Sequence, residues 1–387
     1  MKICLIANPS HPGIEGRISF FAGKRYRVHL ITVAPLPERV YLRLAEYVTI
    51  HSLCPEKYRD LPENGRFNFK LNIDEIKRLI AKINPDLIHA YYVYIYGWIA
   101  ALCSSCPYII SALNSDIEFI NRMSNTQKLL TLYSLERADA IIAVSGHLKK
   151  LIERLGIPSR KIHVLYKGVD CSIFKPLLVT RFLREKLNIG NTKNVIFSPR
   201  SFQNIYNIHI ILESVPYVLS KVPDAKFIFA SNIHIGNSEY IRRLQSIIDK
   251  LRIGASVRIV DFVLPRLMPY YYNLAKVFVS VPENDGTPAS LHEAMACGCM
   301  PVVSDVPSLK QWINDGVNGF IVRQIDPKDT ARAIINALKI RDDKYMKISA
   351  QNISLAGKKA AFKCGMVLTE KIYKQALLNR RNTCLMR

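Results

Sequence analysis

The chain contains 387 residues, of which 49% are hydrophobic and 22% are charged. This length and composition exclude an intrinsically disordered protein and leave room for two domains of ordinary size. The 54 lysine and arginine residues exceed the 31 acidic residues, so the formal net charge is +23. That excess favours a negatively charged partner, such as nucleic acid, anionic lipid or a phosphorylated ligand; a generally basic proteome is the alternative explanation.

The cysteines and the apolar segments indicate a cytoplasmic protein. The nine cysteines are odd in number and scattered, and Cys103 and Cys106 lack a second pair at zinc-site spacing. Residues Met1–Ala7 form an apolar run that is too short for a signal peptide. The uncharged stretch Leu87–Ser115 is broken by tyrosines, serines, a glycine and a proline, which favours strand, loop and helix over a membrane span.

Short β-rich runs alternate with amphipathic helices through the first half of the chain. This alternation predicts parallel strands with helices on both faces of one sheet. The predicted strands are Met1–Ala7, Arg27–Val33, Asp86–Ala90, Tyr108–Leu113, Ala140–Ser145 and Lys161–Tyr166. The predicted helices include Ile76–Ile83, Trp98–Leu102, Thr126–Arg137 and His147–Leu155.

The same alternation restarts after Pro176. The predicted strands are Asn194–Arg200, Ala225–Ser231, Val257–Phe262, Val277–Val281 and Pro301–Asp305. The predicted helices are His209–Val222, Tyr240–Leu251, Met268–Leu274 and Pro288–Cys297, with further amphipathic helices after Asp329. The pattern predicts an α/β protein with two Rossmann-like doubly wound domains, residues 1–176 and 177–387, facing a central cleft. We expect ligands at the carboxyl ends of the strands and C-terminal helices that can pack back on the first domain.

The segment Glu283–Gly298 carries the most chemistry. Gly286 permits a tight turn, Thr287 suits an N-cap and Pro288 suits the first helical position, while Gly298 suits the residue that ends the helix. The backbone N–H groups at such a helix start are a natural binding site for phosphate.

Two carboxylates flank this predicted helix start. Asp285 lies in the loop before the helix and Glu293 lies within it. Carboxylates are strong hydrogen-bond acceptors, so the pair can hold the hydroxyls of a ribose and of a sugar. From these residues alone, a well-capped surface helix with incidental acids is an equally good interpretation.

Several ordered motifs show a resemblance to a known family. Asp285 and Glu293 stand at its spacing for paired acids, and are followed by EAMACG and by Pro301-Val302-Val303. Three further segments match, namely ADAIIAVS at Ala138–Ser145, KGVDCSIFKP at Lys167–Pro176 and DGVNGFIV at Asp315–Val322. The chain thereby resembles the retaining glycosyltransferases of family 4, in the branch with Asp-Gly-Thr-Pro, which have the GT-B fold.

The resemblance implies a reaction and assigns residues to it. It implies transfer of a sugar from a UDP-, GDP- or ADP-sugar donor, held by the second domain, to an acceptor held by the first domain, with retention of configuration. It assigns the donor ribose to Glu293, the donor sugar to Asp285 and the departing diphosphate to Arg200. The remaining donor-side candidates are Tyr206, Phe262, Gly286, Thr287, Pro288, Ala289 and Ser290. No Asp-x-Asp triad is present, so we expect metal-independent transfer without a cofactor.

The sequence departs from the family at three places. Tyr206 stands where the family has a lysine that steadies the diphosphate. The His-Gly-x-Asp motif of the first domain reads Leu113-Asn114-Ser115-Asp116, and the glycine-rich loop after the first strand is altered. The acceptor-side candidates in these two segments are His11, Gly13, Arg17, Asn114 and Asp116.

The acceptor is predicted only by class. A glycan or a lipid-linked acceptor at an anionic membrane surface suits the basic, aromatic first domain, so peripheral membrane association is expected. Nucleic acid is not expected, since no recognised nucleic-acid module is visible. Two alternatives stay open: a nucleotide-sugar epimerase of the GT-B type, and a degenerate, non-catalytic protein that binds nucleotide sugars or nucleic acid.

Overall fold

The computed structural model describes residues 1–11, 13–54, 72–166, 168–179, 181–231, 238–286 and 288–385, with side chains up to residue 380. The chain divides into two compact units. One comprises Met1–Tyr166 together with Cys364–Arg387, and the other comprises Lys167–Lys363. This division by contacts falls before Pro176, and it assigns the C-terminal segment to the first unit.

The first unit contains a parallel sheet of seven strands within its described residues, in the order β3-β2-β1-β4-β5-β6-β7. The strands are β1 Lys2–Ile6, β2 Arg27–Thr32, β3 Thr49–Ser52, β4 Leu87–Tyr91, β5 Tyr108–Ala112, β6 Ala140–Ala143 and β7 Ile162–Val164. The helices are α1 Ile14–Gly23, α2 Glu38–Ala45, α3 Ile73–Ile83, α4 Trp98–Cys103, α5 Ser115–Glu118, α6 Asn125–Arg137 and α7 Gly146–Arg154. Strand β3 was not predicted, because its sequence TIHS shows no apolar alternation.

The second unit repeats this architecture with a six-stranded parallel sheet in its described residues, in the order β10-β9-β8-β11-β12-β13. The strands are β8 Val195–Ser198, β9 Lys226–Ser231, β10 Val257–Asp261, β11 Val277–Ser280, β12 Met300–Ser304 and β13 Phe320–Val322. The helices are α8 Arg181–Lys186, α9 Ile208–Leu219, α10 Ser238–Lys250, α11 Met268–Leu274, α12 Ala289–Ala296, α13 Pro327–Leu338 and α14 Asp342–Lys359. The prediction of two doubly wound Rossmann-like domains is confirmed.

The final helix, α15 Phe362–Leu385, is anchored to the first unit by polar contacts. The Tyr373 hydroxyl lies 2.5 Å from Nδ1 of the fully buried His89. Glu370 pairs with Lys24 and accepts a 2.7 Å hydrogen bond from the Tyr26 hydroxyl. Buried polar groups that satisfy one another in this way fix where a helix docks.

Strand order decides where ligands can bind in each unit. In both sheets the connections run in opposite directions on either side of one central strand pair, β1 with β4 and β8 with β11. The loops that leave these neighbouring strands diverge, and the carboxyl edge between them is where doubly wound sheets bind ligands. The candidate residues of each unit are therefore expected at this edge.

Candidate functional site

Arg200 and Asp285 meet at the carboxyl edge of the second sheet. Arg200 follows β8 and Asp285 follows β11, so the central strand pair brings the two side chains together. Nη2 of Arg200 donates a 2.6 Å hydrogen bond to Oδ2 of Asp285, and the two side chains are only 11% and 13% exposed. Nη1 donates a 3.0 Å hydrogen bond to Oγ of Ser290 in the first turn of α12. Three residues predicted separately thus form one charge-assisted network.

Tyr206 packs against the face of the Arg200 guanidinium. It lies on a 3₁₀ turn, Asn204–Tyr206, and the centre of its ring is 4.0 Å from Cζ of Arg200. The turn is tied to the loop after β11, because the Glu283 N–H donates a 3.0 Å bond to the Ile205 carbonyl. Tyr206 therefore contacts Arg200 through its ring face, a cation–π arrangement.

Three of the five N–H groups of Arg200 have no hydrogen-bond partner among the described residues. Its Nε atom is buried and has no hydrogen-bond partner among the described residues. A buried guanidinium N–H is costly to leave unpaired, and guanidinium groups recognise phosphate and carboxylate oxygens through their planar donors. The site therefore fits an anionic ligand.

Glu293 lies on α12 and is held by a tyrosine from the neighbouring helix. The hydroxyl of Tyr272, on α11, donates a 2.7 Å hydrogen bond to Oε2 of Glu293. Burial raises the pKa of Glu293 above its usual range, and this effect is opposed by the Tyr272 hydrogen bond and by the charge of Arg200. Burial and the neighbouring Glu293 raise the pKa of Tyr272 well above its usual range.

Sequence reasoning did not single out Tyr272. It predicted helix α11 but gave no role to the three consecutive tyrosines within it. Tyr272 is fully buried and packs against Phe197 of β8. A tyrosine predicted on the core face of a helix needs a buried hydrogen-bond partner, and that requirement was the available signal.

The start of α12 differs slightly from the prediction. Pro288 is the residue before the helix, with an extended backbone, and Ala289 begins the helix together with Ser290. The predicted start at Pro288 is therefore wrong by one residue; the predicted N-cap, Thr287, lies outside the described residues. Gly286 is buried in the preceding loop. The helix start adds the unpaired N–H groups of any helix N-terminus to the edge where Arg200 lies.

Phe262 lies further along the same edge of the sheet. It directly follows β10, two strands from β8, and its side chain is 52% exposed. An exposed aromatic ring at this edge is available for contact with a ligand.

Asp116, in the first unit, is buried rather than presented to solvent. Its carboxylate accepts backbone hydrogen bonds from Val93 at 2.9 Å, Leu113 at 3.1 Å and Asn114 at 2.8 Å. Burial raises the pKa of Asp116, and these hydrogen bonds oppose that rise. The carboxylate thus joins the loops after β4 and β5, and it helps to hold Asn114 at a φ of +142°, which is unusual for a residue other than glycine.

The other first-unit candidates lie between β1 and α1, or on α1 itself. Gly13 precedes α1 with a φ of +90°, and the N–H of His11 bonds to the Asn8 carbonyl. The guanidinium carbon of Arg17 lies 5.4 Å from the ring centre of Tyr91, the last residue of β4. These residues therefore stand at the expected carboxyl edge of the first sheet.

The described part of the chain holds no group of three or more histidine, cysteine or acidic side chains placed to bind a metal ion. None of its helices is both long enough and apolar enough to cross a bilayer.

Comparison with known proteins gives the family context of this geometry. The model of glycosyl transferases group 1 matches residues 179–355, and that of glycosyltransferase family 4 matches residues 18–173. Spore coat protein SA of Bacillus subtilis is 25% identical over 87% of this chain and 90% of its own length.

One further relative and one crystal structure are also similar to this chain. The UDP-Gal:α-D-GlcNAc-diphosphoundecaprenol α-1,3-galactosyltransferase of Escherichia coli is 23% identical over 71% of each chain. The crystal structure of Anabaena HepE in complex with UDP and glucose superposes with a TM-score of 0.77 at 18% identity, covering 97% of this chain and all of HepE.

Proposed function

Because this chain belongs to the family 4 glycosyltransferases and has their GT-B fold, we propose that it transfers a sugar from a nucleotide-sugar donor to a glycan or lipid-linked acceptor. The donor binds the second domain and the acceptor binds the first. The observation that carries the proposal is the Arg200, Asp285 and Ser290 network beside the buried Glu293.

Each residue of the donor site has a distinct task. Arg200 binds the diphosphate through the guanidinium N–H groups that have no protein partner, and it neutralises negative charge as the bond between sugar and phosphate breaks. Glu293 accepts hydrogen bonds from the ribose hydroxyls; burial raises the pKa of Glu293, and the Tyr272 hydrogen bond and the Arg200 charge oppose that rise. Asp285 holds the transferred sugar, and the start of α12 adds backbone N–H groups near the phosphates.

Retention of configuration and independence of metal are parts of the same proposal. The resemblance supports retention, and Arg200 with the α12 N-terminus supplies positive charge for the leaving group. Nuclear magnetic resonance of the product should show the anomeric coupling of the donor, and activity should survive EDTA. An inverted product would overturn the first part, and inactivation that added Mg²⁺ reverses would overturn the second.

UDP is the first donor nucleotide to test, because the similar HepE structure holds UDP and glucose; GDP and ADP are the comparisons. A lipid-linked acceptor is supported by the similarity to the Escherichia coli α-D-GlcNAc-diphosphoundecaprenol galactosyltransferase and by the charge of +23. Peripheral membrane binding would then follow. Flotation with anionic and neutral vesicles at physiological salt tests it, and equal absence from both vesicle fractions would contradict it.

Donor binding is measured by calorimetry and thermal shift with UDP, GDP and ADP. A ligand that binds the folded state raises its melting temperature by mass action. We expect one nucleotide to bind, and Glu293→Ala to lose most of that affinity while remaining folded. If none of the three binds, or if the variant binds as tightly as wild type, the proposed donor site is wrong.

A further inference from the structure

We infer that Tyr206 is a positioning residue of the donor site, whose ring face holds the Arg200 guanidinium in the orientation that binds the donor diphosphate. This inference rests on the proposed function and adds to it. It starts from the 4.0 Å approach of the Arg200 guanidinium carbon to the centre of the Tyr206 ring.

The two Nη atoms and the face of the Arg200 guanidinium each have their own contact. Nη2 bonds to Asp285 and Nη1 bonds to Ser290, while the Tyr206 ring covers the face of the group. That leaves the buried Nε–H and one N–H on each of Nη1 and Nη2 without a partner among the described residues. Hydrogen bonds and stacking together fix the plane of the guanidinium, so the directions of its remaining N–H groups are fixed as well.

The ring of Tyr206, rather than its hydroxyl, carries this role. Its hydroxyl makes no hydrogen bond within the described part of the chain, whereas its ring packs partly against the domain core and lies over Arg200. The turn that holds the ring is itself anchored, since Asn207 donates a 3.1 Å side-chain bond to the Val281 carbonyl. An aromatic platform at this position thus replaces a second cation by immobilising the first.

A lysine and an aromatic ring at position 206 would affect phosphate binding in different ways. A lysine at position 206 would attract a phosphate directly, at long range and with strong salt dependence. A stacked ring attracts no phosphate and acts only through Arg200. Loss of the ring should therefore weaken binding of a nucleoside diphosphate and spare a nucleoside monophosphate, which lacks the second phosphate.

The test compares Tyr206→Leu with Tyr206→Phe, using UDP and UMP as probes in calorimetry. We expect Tyr206→Leu to bind UDP ~3- to 30-fold more weakly, the range of a shielded cation–π contact, and to bind UMP within about twofold of wild type. Tyr206→Phe should match wild type for both probes. Tyr217→Leu, at a half-exposed tyrosine of α9, is the matched control and should change neither affinity.

Three results would overturn the inference. Tyr206→Phe as weak as Tyr206→Leu would assign the role to the hydroxyl, and equal losses for UDP and UMP would assign Tyr206 to general support of the fold. Tyr206→Leu with unchanged UDP affinity would show that the stack is not needed. If the leucine variant does not fold, Tyr206→Met, which keeps bulk without a ring, takes its place. Failure of wild type to bind UDP, GDP or ADP would instead overturn the proposed function.

Discussion

The Arg200 guanidinium and the Asp285 carboxylate form a 2.6 Å ion pair across the central strands of the second sheet. Both side chains are nearly buried, so the pair is poorly screened by solvent. Its position at the strand pair where the connections reverse places it at the expected ligand edge of a doubly wound sheet. The network around this pair yields the predictions on activity that follow.

Arg200→Lys should lower kcat/KM about 10- to 100-fold. Lysine keeps the positive charge, but it cannot bond to Asp285, Ser290 and a phosphate with fixed planar donors. Arg181→Lys, at an arginine of α8 that is 91% exposed, is the matched control and should leave activity unchanged. Steady-state transfer kinetics decide the matter, and an Arg200→Lys variant within twofold of wild type would contradict the assigned role.

Tyr272→Phe should shift the pH dependence of activity. The Tyr272 hydrogen bond lowers the pKa of Glu293, against the effect of burial. Its loss should raise that pKa, so the acid limb of kcat/KM should move to higher pH. The shift should be accompanied by roughly 10-fold weaker UDP binding, as expected for a hydrogen bond to a charged group.

The control for this variant is Tyr271→Phe. Tyr271 is a buried neighbour on α11 that stacks on Phe197, and its hydroxyl has no hydrogen bond within the described residues. Removal of the Tyr271 hydroxyl should leave the pH profile of kcat/KM unchanged. An acid limb that stays put in Tyr272→Phe, or moves equally in both variants, would argue against control of Glu293 by Tyr272.

Gly298→Ala should destabilise the second domain by about 2–4 kcal/mol. Gly298 has a φ of +86°, and an added Cβ would clash with Oγ of Ser349 on α14. Gly190→Ala separates the two costs, because Gly190 has a φ of +62° with open space around its Cβ position. Denaturant unfolding should show a larger loss of unfolding free energy for Gly298→Ala than for Gly190→Ala. Equal losses would show that close packing around Gly298 adds no cost.

Glu370 should stabilise the docked α15 in a pH-dependent way. Hydrogen bonds from Lys24 and Lys374 lower the pKa of Glu370 from 4.5 to about 2. A lowered carboxyl pKa contributes stability above pH 4.5, and this contribution is lost as the pH falls through 4.5 toward 2. Glu370→Gln should cost about 1–3 kcal/mol at pH 7 and progressively less below pH 4.5.

Thermal unfolding from pH 7 to pH 3 measures this difference. Glu153→Gln serves as the control, because Glu153 is partly exposed on α7 and pairs with Lys149 at 3.8 Å; its effect should be small throughout. If the difference in stability between wild type and Glu370→Gln stays constant over this pH range, the proposed pH-dependent contribution of Glu370 is contradicted.

Periodicity predicted most strands because a parallel sheet buries both faces, as in β1 and β5. It could not predict contacts set by tertiary packing. The bond between Tyr272 and Glu293 joins two helices, and that between His89 and Tyr373 joins residues 284 positions apart. The residue types and spacing at Arg200, Asp285 and Glu293 were visible in the sequence. The stacking of Tyr206 on Arg200 could not be predicted, because it depends on tertiary packing.

The most direct test of the central claim is an experimental structure of the protein with UDP. We expect the ribose hydroxyls within hydrogen-bond distance of Glu293 and a phosphate oxygen within hydrogen-bond distance of the Arg200 guanidinium. UDP bound at this edge without contact to either residue, or bound elsewhere on the chain, would contradict the donor site proposed for this glycosyltransferase.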